Sequence, residues 1–311
     1  MSRNHARTGR VARWVAIGVA LATLSAMAVT APVNCLPALW RPANLRCVAA
    51  DSSTAGASPT GLRDPVRRDM TMMLLSSAEN SSLRWEEQFG YIEYNVEGDE
   101  AENRGYTGGL VGFTSRTHDM LELIEEYEEG SPDNPLSPFL PALRAADGTP
   151  SRDGLGEPFM AAWREAARDP EFQAAQLRAT EDLYLLPAIH QAEVDGLRAL
   201  GQFVYVDALV MHGPGEQPLA FHWIRARALE RAPSVAQGGD EITYVDAFLD
   251  VREEAMRAER GHHDTTRVST AQRAFLREAN LDLTPPLRWS VYGDDFEIRP
   301  SRPLRCALGF C

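Results

Sequence analysis

Positive charge is in short supply in this chain: 31 basic residues stand against 44 acidic ones, and the net charge is −13. A nucleic-acid backbone needs clustered Lys and Arg, so that class of partner is excluded. The same acidity is compatible with a cationic substrate. Cysteines number only four, at Cys35, Cys47, Cys306 and Cys311. They lie near the two ends, and none has an adjacent His at the short spacing of a metal site, so no metal is expected. In an oxidising compartment they can close two local loops or cross-link the ends, and three connectivities remain open. Strand signals are scarce, internal repeats are absent, and no cofactor is expected.

Long apolar runs are limited to one, at the N-terminus. Arg3, Arg7, Arg10 and Arg13 precede an uncharged stretch from Trp14 to Val29, and Ala26-Met27-Ala28 offers small residues for cleavage. This is the layout of a secretory signal peptide, predicted here over residues 1–28. Pro32 and Pro37 interrupt the uncharged residues beyond Val29, leaving the apolar core shorter than the ~20 residues that a membrane span needs. Removing 1–28 takes away four arginines and no acid, so the remaining chain is more acidic still. The predicted product is secreted, extracellular and, once the signal is removed, independent of membranes.

The mature chain is organised in three parts. Residues 29–60 form a Cys- and Pro-containing segment ending in a small, polar linker, Ala49 to Thr60. Dense periodic sequence fills 61–300, and 301–311 is a tail. At 311 residues, 44% of them hydrophobic, the chain can bury a sizeable core.

Helical signals dominate 61–300. Asp64-Pro65 reads as an N-cap followed by Pro at the first helical position. Val66, Met70, Met73 and Leu74 then define an apolar face that leaves Arg67, Arg68 and Asp69 outside, and the helix is predicted to end near Glu79. Further helices are predicted over 117–129, from Glu157-Pro158 to Asp169-Pro170, and at 171–184, 188–196, 197–212, 219–231, 239–260 and 269–279. The segment 197–212 is apolar almost all round and should be the buried central helix. Tyr106 to Phe113, rich in glycine, is the best candidate for a short hairpin or extended segment.

Four groups of residues could carry chemistry. Ser76-Ser77-Ala78-Glu79-Asn80 places a carboxylate at the end of an apolar helix, where partial desolvation suits a general acid. Glu97-Gly98-Asp99-Glu100-Ala101-Glu102 is an acidic loop running into Arg104-Gly105-Tyr106-Thr107-Gly108-Gly109. Hydrolysis of a sugar acetal needs two carboxyl groups, one to protonate the leaving oxygen and one to activate water or attack the ring. Asp207 and His212 lie on the apolar helix and must be partnered if buried. Arg252 is followed by Glu259, His262-His263-Asp264 and Arg267. The adjacent histidines lack a third partner at helical spacing, which argues against zinc.

Together these blocks resemble the chitosanases of glycoside hydrolase family 46. The resemblance is carried by Ser-Ser-Ala-Glu-Asn-Ser-Ser, Arg-Gly-Tyr-Thr-Gly-Gly, Gly-Phe-Thr-Ser-Arg-Thr-His-Asp-Met-Leu-Glu-Leu, Asp-Gly-Leu-Arg-Ala-Leu-Gly-Gln-Phe, Met-His-Gly-Pro-Gly, Ala-Gln-Gly-Gly-Asp-Glu and Asn-Leu-Asp-Leu, in that order over about residues 62 to 296. It implies a mainly α, two-lobed, lysozyme-like fold with a long central helix and a small β segment lining the cleft. It also implies a monomeric endo-enzyme that inverts configuration while hydrolysing β-1,4 bonds of chitosan. Within it, Glu79 matches the general acid and Thr107 the residue that helps hold the attacking water. Arg104, Asp119, His212 and Tyr91 fall with the substrate-binding residues, and Asp207, Arg252 and Arg267 with a buried network that orients the acid.

Two departures stand out. Where the family typically has an Asp as general base, this chain has Glu102, on a loop several residues longer than usual. Glu102 is favoured by position, and Asp99 and Glu97 are the alternatives. His263 stands where the family often carries an acid that helps bind amines. Readings from other classes are a lysozyme-type hydrolase of N-acetylated polymers such as chitin or peptidoglycan, and a chitosan-binding protein with impaired catalysis.

Overall fold

The computed structural model describes residues 61–95, 104–259 and 264–300. The predicted signal peptide, the linker, all four cysteines, the acidic loop with Glu97, Asp99 and Glu102, and His262 and His263 lie outside the described residues.

Ten α-helices and five short strands make up the described fold. The first helix, α1, spans Pro65–Glu79 and begins as the sequence predicts, with Asp64 accepting from the Val66 and Arg67 amides. Three strands follow, β1 (Ile92–Tyr94), β2 (Tyr106–Gly108) and β3 (Phe113–Thr114), in an antiparallel sheet that aligns Glu93 with Thr107 and Thr107 with Thr114. The glycine-rich segment is thus the central strand of a small sheet. Next come α2 (Asp119–Gly130), α3 (Leu140–Ala146), α4 (Gly156–Ala166) and α5 (Pro170–Thr180). A π-helical turn, Glu181–Leu185, joins α5 to α6 (Leu186–Val194). The remaining helices are α7 (Ala199–His212), α8 (Phe221–Arg231), α9 (Glu241–Ala258) and α10 (Arg273–Arg277). A second π-helical segment, Arg267–Gln272, leads into α10, and the hairpin β4 (Leu287–Val291)–β5 (Asp294–Ile298) follows.

The mainly α class with a small β element is what the sequence implied. Helix α7 is the buried centre: every residue from Ala199 to Leu209 is buried. Its polar members are satisfied there, Gln202 accepting from the Leu62 amide at 2.7 Å and Tyr205 donating to Asp195 at 2.7 Å. It is not the longest helix, since α9 has 18 residues to its 14. Around the sheet, Tyr106, Phe159, Trp163 and Phe172 pack edge to face in sequence, and the Trp163 indole donates to the Phe89 carbonyl at 3.1 Å.

Three details differ from the pattern reading. Val66, predicted to face the core, is 48% exposed. Arg67, Arg68 and Asp69, predicted to face solvent, are half-buried because each finds a tertiary partner. Arg67 donates to the Asp282 carbonyl, Arg68 pairs with Glu181 at 2.6 Å, and Asp69 accepts from the Trp85 indole. The predicted helix over 269–279 is a π-helical segment followed by only five α-helical residues.

Candidate active site

A cleft of about 720 Å³ is lined by the end of α1, the β2–β3 sheet, the start of α2 and the end of α7. Six of the predicted site residues lie on its wall: Glu79, Arg104, Thr107, Asp119, His212 and Arg267. Tyr91 is not among the lining residues, although the negative charge of Glu79 acts on its phenol. Burial first, then Glu93 and Glu79, push that phenol up to about 12.

Glu79 is the last residue of α1, and its half-buried carboxylate accepts from Arg267 Nη2. The rest of the Arg267 fork turns to Asp207, with Nη2 at 2.7 Å and Nε at 2.9 Å from Oδ1. The other Asp207 oxygen takes Arg252 Nη1 at 2.6 Å and the Gln272 amide at 2.6 Å. Arg252 and Asp207 are almost wholly inaccessible to solvent. Burial alone would raise the Asp207 pKa, but the two guanidiniums override it and hold this carboxyl far below the usual carboxylate range. With one fully buried anion between two buried cations, the unit is a rigid frame for Arg267. Breaking such a unit leaves uncompensated buried charge.

The frame continues toward the cleft through His212. Arg252 Nε faces His212 Nε2 at 3.4 Å, and His212 Nδ1 lies 2.9 Å from Glu259. A cation on one nitrogen requires that nitrogen to accept, so Nδ1 carries the proton and donates to Glu259. Burial lowers the His212 pKa, opposed by Glu259 and reinforced by Arg252, so the neutral ring is favoured.

Thr107 sits at the middle of β2, and its Oγ1 is buried without a hydrogen-bond partner among the described residues. A buried hydroxyl is normally satisfied, so this one is a ready place for a water or a substrate hydroxyl. Gly112, at φ +74°, lets the backbone pass beside it. A Cβ there would come 3.3 Å from Thr107 Cγ2 and 4.0 Å from Glu79 Oε2. At Gly112 the sheet thus comes close to the Glu79 carboxylate.

Asp119 lines the cleft but is largely committed to the protein. Its carboxylate accepts from the Thr114 and Met120 amides, the Thr117 hydroxyl at 2.7 Å and the Tyr184 hydroxyl at 2.8 Å. Burial outweighs those bonds and raises its pKa. Asp119 is thus anchored at the start of α2 while it lines the cleft. The general-base candidates Glu102, Asp99 and Glu97 lie outside the described residues.

Pattern reasoning overlooked Tyr184, Glu122 and Gln272. Tyr184 and Arg267 both lie on π-helical turns, an irregularity that changes side-chain direction and often marks functional sites. Nothing in local sequence signals those turns. Gln272 lies in a polar stretch with Ser269, Thr270 and Arg273, so nothing in the local sequence singles it out.

Comparison with known proteins bears on this site. The family profile described as Glycosyl hydrolase family 46 matches residues 73–287. A chitosanase from Streptomyces sp. (strain N174) is 48% identical over 272 residues, covering 88% of this chain and 96% of that protein. A chitosanase from Nocardioides sp. (strain N106) is 47% identical over 254 residues, covering 81% and 89%. Among solved structures, a co-crystal of chitosanase OU01 with substrate superposes with a TM-score of 0.74 at 52% identity, covering 77% of this chain and 99% of that one.

Proposed function

The chain belongs to glycosyl hydrolase family 46 and is a glycoside hydrolase; on that premise we propose that it hydrolyses chitosan, cutting β-1,4 bonds within the polymer with inversion of configuration. The observation that carries this reading is the Glu79 carboxyl on the cleft wall, backed by Arg267, Asp207 and Arg252.

Glu79 protonates the glycosidic oxygen as the bond breaks. Its partner Arg267 is held by Asp207, so the acid has a fixed direction toward the substrate. The Thr107 hydroxyl, which has no hydrogen-bond partner among the described residues, holds the attacking water on the other side of the sugar. Glu102 takes the proton from that water. Inversion requires the two carboxyl groups to stand about 6.5–9.5 Å apart so that a water fits between them. A longer acidic loop can retract by the one methylene that separates Glu from Asp. The acidic composition favours glucosamine ammonium groups as the recognised charge.

The enzyme is proposed to act as a monomer outside the cell, with residues 1–28 directing export. N-terminal sequencing of protein from culture medium should begin shortly after Ala28; an intact Met1 would refute cleavage there.

Release of reducing ends from chitosan tests the chemical assignment. Glu79→Gln should lose at least about a hundredfold in kcat, the lower end of what a positioned general acid contributes. Of Glu102→Gln and Asp99→Asn, the variant that retains activity excludes its residue as the base, and Glu102→Gln is expected to be the inactive one. Wild-type rates in Glu79→Gln would remove the acid from the account.

A further inference from the structure

The turn between β3 and α2 holds a histidine where the backbone favours glycine. His118 immediately precedes α2 and has φ +77°, a conformation that crowds a side-chain Cβ and suits glycine. At the N-cap of a helix a short polar side chain usually serves the first amides. His118 makes no such bond, and the Asp119 carboxylate takes the Met120 amide instead. The imidazole turns to Asp147, the residue after α3, with Nδ1 2.8 Å from Oδ2.

Stability does not account for this side chain. The imidazole is 61% exposed, and ion pairs so open to water contribute little. Backbone strain that nothing local offsets clusters at functional positions, and His118 lies on the cleft wall beside Arg116, Thr117, Asp119 and Glu122. Asp147 is not on that wall, so it holds the ring from behind. A carboxylate only accepts, so Nδ1 carries a proton and donates to it. On the other edge of the ring, Nε2 makes no hydrogen bond among the described residues. The Asp147 bond, against slight burial and with the charges of Asp147, Glu122 and Glu125, raises the imidazole pKa. At mildly acidic pH the ring therefore carries both protons, and Nε2 is a donor.

We propose that His118 is a specificity-determining residue of the cleft, its Nε2–H donating to the carbonyl oxygen of an N-acetyl group on a partly acetylated glucosamine chain while Asp147 fixes the ring. A deacetylated unit offers an ammonium at that position, which cannot accept a hydrogen bond and is repelled by the imidazolium. An acetylated unit is uncharged and has an oxygen where the donor needs one. The cleft wall at the start of α2 thus selects for an N-acetylated unit there. This inference rests on the reading of the chain as a chitosan hydrolase.

The test is steady-state kinetics at mildly acidic pH on two glucosamine oligomers of equal length, one fully deacetylated and one partly N-acetylated, for wild type, His118→Gly and Asp147→Asn. His118→Gly removes the ring and suits the positive φ, so its Tm should be unchanged or raised. Its kcat/KM on the acetylated oligomer, relative to that on the deacetylated one, should fall about five- to tenfold, through KM rather than kcat. Asp147→Asn keeps the ring but removes its charged partner, and should lower the same ratio by about two- to threefold. An unchanged ratio in His118→Gly overturns the proposal. So does a KM change of equal size on both oligomers, which would mark a contact to a sugar hydroxyl. Wild type inactive on both oligomers would contradict the chitosan reading itself, a separate outcome that takes this inference with it.

Discussion

Asp207 shows what one residue contributes when it is fully enclosed. It does not itself line the cleft, yet it fixes Arg267, which does and which touches Glu79. Replacing it by Asn keeps the shape and removes the charge that balances two buried arginines. Such a loss is expected to cost about 3–5 kcal/mol, or roughly 6–20 °C in Tm at about 2–4 °C per kcal/mol. Arg267 would then turn wholly to Glu79, and kcat should fall with stability. The pH dependence has a definite sign. The folded Asp207 pKa lies below its ordinary value of 3.8, so its stabilisation is fully present above that value. It is lost as pH falls toward the folded pKa. Calorimetry of wild type and Asp207→Asn should therefore show the widest Tm gap near neutrality and a narrowing gap below about pH 4. A gap independent of pH would contradict the charged frame.

The same residue marks how far sequence reading reaches. An Asp on a helix that is apolar all round announces a buried partner, and the family resemblance supplied Arg252 and Arg267. Asp119 was legible as a cleft residue, but its commitment to Thr114, Thr117, Met120 and Tyr184 was not. Those partners come from β3, the turn before α2 and a π-helical turn 65 residues away, and no local pattern links them.

Elements were legible in proportion to their periodicity. Helix α1 was readable because an N-cap, a proline and a run of apolar positions all agree on it, and α7 because its sequence is apolar almost all round. Seven-residue α3, with Pro at its start, and the five-residue strands β4 and β5, with acidic residues on β5, are too short for period to separate them from loop. The β1–β3 sheet was only half visible, since β1 has three residues and pairs across the acidic loop. That sheet depends on close approach at Gly112. Gly112→Ala would force a Cβ into positive φ, against Thr107 and toward Glu79. We expect about 1 kcal/mol or more of destabilisation together with a fall in kcat, read by melting and by steady-state kinetics. Unchanged kcat would mean that the spacing between sheet and acid is not critical.

At the scale of the molecule, the fold brings a helix end, a sheet and a buried ion network to one cleft, although Glu79 and Arg267 are 188 residues apart in sequence. Acidic composition suits a polycationic substrate. The proposed pair of carboxyl groups, an acid and a base with the attacking water between them, predicts the stereochemistry of the product. Proton NMR during hydrolysis of a glucosamine oligomer tests this most directly, because it reports cleavage and the first-formed anomer together. The account predicts that the α anomer appears first and relaxes to the equilibrium mixture by mutarotation. A β anomer appearing first, or no cleavage by the intact enzyme, would contradict it.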